Sequence, residues 1–164
     1  MKHQIVFTNL QKEKSPFRGY QSALRRAIEK TLEWEKVSFS AHVEVTLVSS
    51  EEICRLNREF RGVDRPTDVL SFPTEEEGFE NEPIVCLGDI ILCPAVIAAQ
   101  AEGYGATYRQ EMCLMAIHST LHLLGWDHME EKEKEEMFSL QEEIMKSLSE
   151  GEVKTETQYQ SKTE

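Results

Sequence analysis

Along residues 41–49 (AHVEVTLVS) apolar and polar side chains alternate, with Val43, Val45 and Leu47 set against Glu44 and Thr46. That period of two predicts a strand with one buried face. QIVFTN (4–9) predicts a short strand before it. Between them, in SPFRGYQSALRRAIEKTLEWEK (15–36), the period lengthens: Phe17, Tyr20, Leu24, Ala27, Ile28 and Leu32 recur at helical spacing after a Ser-Pro start. Ser49-Ser50-Glu51-Glu52 offers a capping box for a helix over about 51–60. DVLSF (68–72) and CLGDIILC (86–93) predict two further strands, joined by the acidic segment 74–83, which is expected to be a mobile loop. PAVIAAQAEGYG predicts a helix with proline in its first turn and glycines at its end. Thr107 and Gln110 form another capping-box pair, opening a helix through QEMCLMAIHSTLHLL that Gly125 should stop. A last helix, about 130–148, is anchored by Met137, Leu140, Ile144 and Leu148.

The order mixes helices and strands without strict alternation and without an internal repeat. The expected class is therefore α+β: one domain over 1–150, with a central sheet of about four strands packed with about five helices. GEVKTETQYQSKTE (151–164) has little to bury and is expected to be a disordered polar tail.

Composition sharpens this only in places. No apolar run approaches the roughly 18 residues of a membrane helix, so no membrane partner is expected. The opening MKHQIVFTNLQKEK lacks the apolar stretch and cleavage site of an export signal, and a cytoplasmic protein is expected. Cys54, Cys86, Cys93 and Cys113 show no C-x-x-C spacing and should be reduced rather than bridged. The net charge of −12 argues against nucleic acid until its distribution is read. Residues 129–164 hold −6 of it and EEEGFENE (75–82) holds −5, so the other residues carry −1. Within them Arg55, Arg58, Arg61 and Arg65 form a basic cluster. The acidity is segmental and does not exclude an RNA substrate.

Candidate chemistry concentrates at HSTLHLLGWDH (118–128). Residues four apart share a helix face, so His118 and His122 can point two imidazoles at one ion. Gly125 allows the chain to turn back and bring His128 to the same point. Three imidazoles fill three positions of a zinc tetrahedron and leave one open, the arrangement of catalytic rather than structural zinc. The spacing 118, 122, 125, 128 matches the H-E-x-x-H-x-x-G-x-x-H pattern of metzincin proteases, but Ser119 stands where those enzymes keep a glutamate base. A hydrolase is expected, and a peptidase of the usual mechanism is not. Asp127 reads as a surface acid or as a partner of a ligand histidine; His3 and His42 read as incidental.

NREFRGVDRPTDVLSFP (57–73) is the second dense stretch. Its basic residues describe either a solvated helix-to-strand connection or a cleft into which Arg61 reaches, where a guanidinium can hold phosphate. Taken together, N-x-x-x-R-x-x-D-x-P-T-D-V-L-S-F-P, then G-D-I-I, then H-x-x-x-H-L-x-G-x-D-H closely resemble the YbeY family of bacterial metal-dependent endoribonucleases, from about residue 40 to 148. The resemblance implies a zinc site at His118, His122 and His128, one ion per chain with Ni²⁺ as another candidate, and a required arginine at position 61. It implies cleavage of single-stranded RNA in small-subunit (16S) rRNA 3′-end maturation and ribosome quality control, with the small ribosomal subunit and an assembly GTPase as partners. Ser119 departs from the small residue, often glycine, of many relatives. Two other readings stand beside it: a three-histidine zinc hydrolase acting on peptides or small molecules, and a non-catalytic ribosome assembly factor with a structural metal.

Overall fold

A computed structural model describes residues 2–11, 20–74, 84–126 and 130–163. Strand β1 (Gln4–Asn9) leads through helix α1 (Gln21–Trp34) to strand β2 (Ala41–Leu47), which lies parallel to it. A parallel pair needs a crossover, and α1 supplies it. Helix α2 (Ser50–Arg61) leads to β3 (Val69–Pro73), then β4 (Val85–Leu92). The sheet order is β1-β2-β4-β3, with β4 parallel to β2 and antiparallel to β3. Helices α3 (Pro94–Tyr104), α4 (Tyr108–Leu123) and α5 (Glu131–Thr163) follow. The expected α+β class, the single domain, the four strands and the five helices are all present.

Burial follows the sequence periods. β2 alternates buried and half-buried residues along its whole length. Its apolar face joins Leu24, Ala27, Ile28 and Leu32 of α1, Ile117 and Leu121 of α4, and Met137 and Ile144 of α5 in the main core. In β4, Ile90 and Leu92 enter that core, while Ile91 between them packs on a smaller cluster of Val48, Ile53, Leu70 and Cys93. Alternation along the pleat gives α2 its own small core.

Helix ends match their local chemistry with two differences. Thr107 and Gln110 make both halves of a capping box on α4. On α2 only one half forms: Ser49 Oγ accepts from the Glu52 amide, while the Glu52 carboxylate turns to Arg55, whose hydrogen bonds hold it below its ordinary range. The last helix is longer than its apolar anchors suggest. Its backbone stays helical to Thr163 instead of giving way to an irregular tail, in a stretch rich in Glu, Lys and Gln and free of proline. The Ser-Pro start of the first helix and the acidic segment at 75–83 lie outside the described residues.

One glycine shapes the sheet. The β2–β4 register shifts between His42 and Val43, and Gly88 on β4 adopts φ +139°. A Cβ there would stand 2.2 Å from the Phe72 carbonyl oxygen and 3.0 Å from Pro73 Cα. The glycine of G-D-I-I thus lets β3 close on β4 and fixes the strand that walls the cleft below. None of the four cysteines is in a disulfide; Cys93 and Cys113 are buried and Cys86 is exposed. Among the described residues no helix is long and apolar enough to cross a membrane.

Candidate active site

The end of α4, the end of α2 and strand β3 enclose a cleft of about 700 Å³. Its lining includes His118 and His122, Arg61, Phe60, Trp126, and the run Thr67 to Pro73. Residues from the two stretches that the sequence singles out separately, 57–73 and 118–126, therefore line one cleft.

Helix α4 is buried on most sides, so only a narrow strip of it faces the cleft. His118 and His122 occupy that strip, ring centroids 4.4 Å apart and nearly perpendicular. Each ring is held by its Nδ1. His122 Nδ1 donates to the backbone carbonyl of Trp126 (2.8 Å), a group that can only accept. His118 Nδ1 donates to Gln141 Oε1 on α5 (2.7 Å). The remaining nitrogens, Nε2 of both rings, then carry lone pairs, and they meet at 3.0 Å. Two acceptors at that separation repel unless a proton or cation lies between them. Nitrogens bound about 2.0–2.1 Å from one zinc ion stand roughly 2.8–3.4 Å apart for ligand angles between about 90° and tetrahedral. The pair fits a shared transition-metal ion, and nitrogen is the donor such an ion prefers.

The turn beyond α4 completes the hold on His122. Gly125 takes φ +100°, its amide bonds to the His122 carbonyl, and the Trp126 amide returns to Leu121. That fold-back sets the Trp126 carbonyl against the His122 ring. The Trp126 indole N–H donates to the Glu35 carboxylate just past α1, anchoring the turn on its other side. His128 and Asp127 lie outside the described residues, so the structure places two of the three expected imidazoles. Among the described residues no group of three His, Cys, Asp or Glu side chains assembles around one point. Ser119 is buried and its hydroxyl donates to the Met115 carbonyl, an intrahelical bond that leaves it no role as a base. His3 accepts the Ala41 amide and His42 contacts Gln4 and Glu44, all away from the cleft.

Arg61 is exposed at the last turn of α2, on the wall opposite the histidines' helix. Arg55 pairs with Glu52 and Glu59, and Arg58 pairs with Asp64. Among the described residues Arg61 makes no ion pair, and its charge is available to an incoming anion. Asn57, 1% exposed, shows why the basic stretch is built as it is. Its side-chain amide donates to the Arg65 carbonyl and its backbone carbonyl accepts the Val63 amide, stitching the loop to α2. Gly62 ends the helix at φ +70°. Asp68 Oδ1 accepts from the Val69 amide and the Thr67 hydroxyl, tying the loop into β3.

Glu111, buried in the first turn of α4, feels this wall. Burial pushes its carboxyl above the ordinary range, and the charge of Asp68 pushes it further. The folded protein then holds this proton more tightly than the unfolded chain does. Stability falls as pH climbs from the unfolded pKa through the raised one, and the deficit vanishes below both. Glu111→Gln is expected to melt higher than wild type at pH 8, with the gap closing by about pH 4. Equal melting temperatures at pH 8 would contradict it.

Sequence reasoning passes over four of these groups. Gln141 has a signal after all, since it interrupts the apolar stripe Met137, Leu140, Ile144 with a buried amide, 7% exposed. The Trp126 carbonyl, the Glu35 contact and the Phe60–Phe72 ring pair have none, because each depends on how distant elements meet.

Comparison with known proteins identifies the family. Residues 6–149 match the family model described as Endoribonuclease YbeY. The chain is 41% identical over 139 residues to the Endoribonuclease YbeY of Bacillus cereus (strain G9842), covering 81% of this chain and 89% of that one. It is 45% identical over 119 residues to the Endoribonuclease YbeY of Bacillus subtilis (strain 168), covering 69% and 76%. The solution structure of TM1509 from Thermotoga maritima superposes with a TM-score of 0.62 at 34% identity, covering 93% of each chain.

Proposed function

The chain belongs to the Endoribonuclease YbeY family, and from that premise we propose that it is a zinc-dependent endoribonuclease of single-stranded RNA, acting in 16S rRNA 3′-end maturation and ribosome quality control in the cytoplasm. The observation that carries the metal dependence is the pair of Nε2 atoms facing each other at 3.0 Å in the cleft that Arg61 also lines. His118 and His122 would hold the ion, with His128 as the third imidazole, one ion per chain; Ni²⁺ is the alternative the same nitrogens would accept. Zinc bound there would supply Lewis acidity toward a phosphoryl oxygen or a water.

The chain's own residues do the rest. Arg61 receives the scissile phosphate and offsets the charge that grows on it during displacement. Gln141 and the Trp126 carbonyl keep both Nε2 atoms unprotonated and aimed into the cleft. The small ribosomal subunit and an assembly GTPase are the proposed partners, delivering rRNA to a chain whose net charge is −12.

Dialysis against a chelator is expected to abolish cleavage of a single-stranded RNA, and one equivalent of Zn²⁺ per chain is expected to restore it. A denatured protein substrate should survive under every condition. Cleavage indifferent to chelation, or proteolysis in place of RNA cleavage, would overturn the proposal.

A further inference from the structure

The cleft carries a feature that metal and phosphate chemistry do not use. Phe60 is 59% exposed, although it continues the buried side of α2 set by Ile53 and Asn57. The ring meets Phe72 of β3 at a centroid distance of 5.1 Å and an interplanar angle of 66°. Both rings line the same cleft as His118 and His122. The other large exposed apolar residues, such as Leu10, Tyr104 and Phe138, stand outside it. Exposing a phenylalanine costs hydrophobic burial, and Phe72 already fixes where the ring sits.

Resting on the ribonuclease reading, we propose that Phe60 is a base platform: its open surface stacks the unpaired base beside the phosphate that Arg61 holds. Phe60 and Arg61 both line this cleft, so an aromatic surface and a cation making no ion pair among the described residues are presented to the same space. A nucleotide offers the matching pair, a base and an adjoining phosphate, at comparable spacing. A protein partner fits less well, since one ring inside a concave cleft is far from the roughly 800 Å² a stable protein interface covers on each side. Stacking needs a base free of its helix, so the platform admits single strands and rejects duplexes, and it tolerates any base because every base has a π-face.

The test uses short single-stranded oligoribonucleotides in which one abasic residue is moved along the chain, cleaved by zinc-loaded wild type, Phe60→Ala and Phe60→Tyr. With wild type, an abasic residue at one position flanking the cut is expected to lower kcat/KM by about 10-fold to 100-fold. Phe60→Ala is expected to show that loss on the intact strand, mainly in KM, and no further loss at that abasic position. Phe60→Tyr is expected to cleave like wild type. The abasic series with wild type keeps the proposal testable even if Phe60→Ala folds poorly. Unchanged kinetics in folded Phe60→Ala, or no sensitive abasic position with wild type, overturns the platform and leaves the ring as a protein contact or an idle surface. Absence of any RNA cleavage by wild type overturns the ribonuclease reading as well, and so distinguishes the two failures.

Discussion

His122→Ala is expected to lose zinc and RNA cleavage together while keeping its fold. A metal acting as Lewis acid on a phosphoryl oxygen contributes several kcal/mol to the transition state, and each 1.36 kcal/mol is tenfold in rate. The expected loss in kcat/KM is therefore about a thousandfold or more. The fold should survive because His122 is only half-buried and is not a member of the hydrophobic core beneath α4. Removing the ring leaves the Trp126 carbonyl without its donor, a cost of about 1 kcal/mol that solvent entering the cleft will reduce. Gln141→Leu should fall between the two proteins. It keeps all the imidazoles but releases His118 Nδ1, and loss of such a partner typically weakens metal binding by about 10-fold to 100-fold. Competition against a chromophoric chelator measures the zinc affinities, and circular dichroism checks the fold. An His122→Ala protein that melts far below wild type yet retains wild-type nuclease activity would mark the metal as structural and the cleavage as belonging to something else.

Periodicity made the elements legible and left their arrangement hidden. Strand β2 is readable because its period of two is uninterrupted, and α4 because Thr107 and Gln110 announce its start. Nothing local says that β4 inserts between β2 and β3, or that β2 and β4 run parallel, since sheet order is settled by how α1 and α4 share one apolar face. The Gly88 of G-D-I-I is legible as a glycine but not as a contact, because the Phe72 carbonyl it accommodates comes from another strand. The site divides the same way. His118 and His122 announce themselves through helical spacing, a property of one element. Arg61 is ambiguous in sequence, a solvated arginine or a residue reaching into a cleft, and only the packing of α2 against β3 puts it on the wall of the cleft that His118 and His122 line. The extended α5 is the converse case: after Leu148 only Val153 and Tyr159 offer large apolar side chains, too few to predict an element, yet the backbone stays helical to Thr163.

Arg61→Ala separates the proposed phosphate contact from the proposed metal site. The side chain is exposed and, among the described residues, makes no ion pair, so its removal should leave melting temperature and zinc affinity within error of wild type. Cleavage should nevertheless fall by about 10²-fold to 10³-fold, the loss found when one preorganised donor to a developing oxyanion is deleted. Arg61→Lys should recover only a fraction of this. An ammonium restores the charge but not the planar fork that grips two phosphate oxygens at once, and the shorter, rotating side chain forfeits orientation. Arg58→Ala provides the control three residues away: Arg58 is tied to Asp64 and does not line the cleft, and its removal should change cleavage by less than about twofold. Single-turnover kinetics on one RNA, with all four proteins loaded with zinc, separate these outcomes. Equal losses for Arg58→Ala and Arg61→Ala would reduce the arginine's part to diffuse attraction for a polyanion. Full activity in Arg61→Lys would reduce it to a point charge, and the cleft would then need another source of orientation for the phosphate.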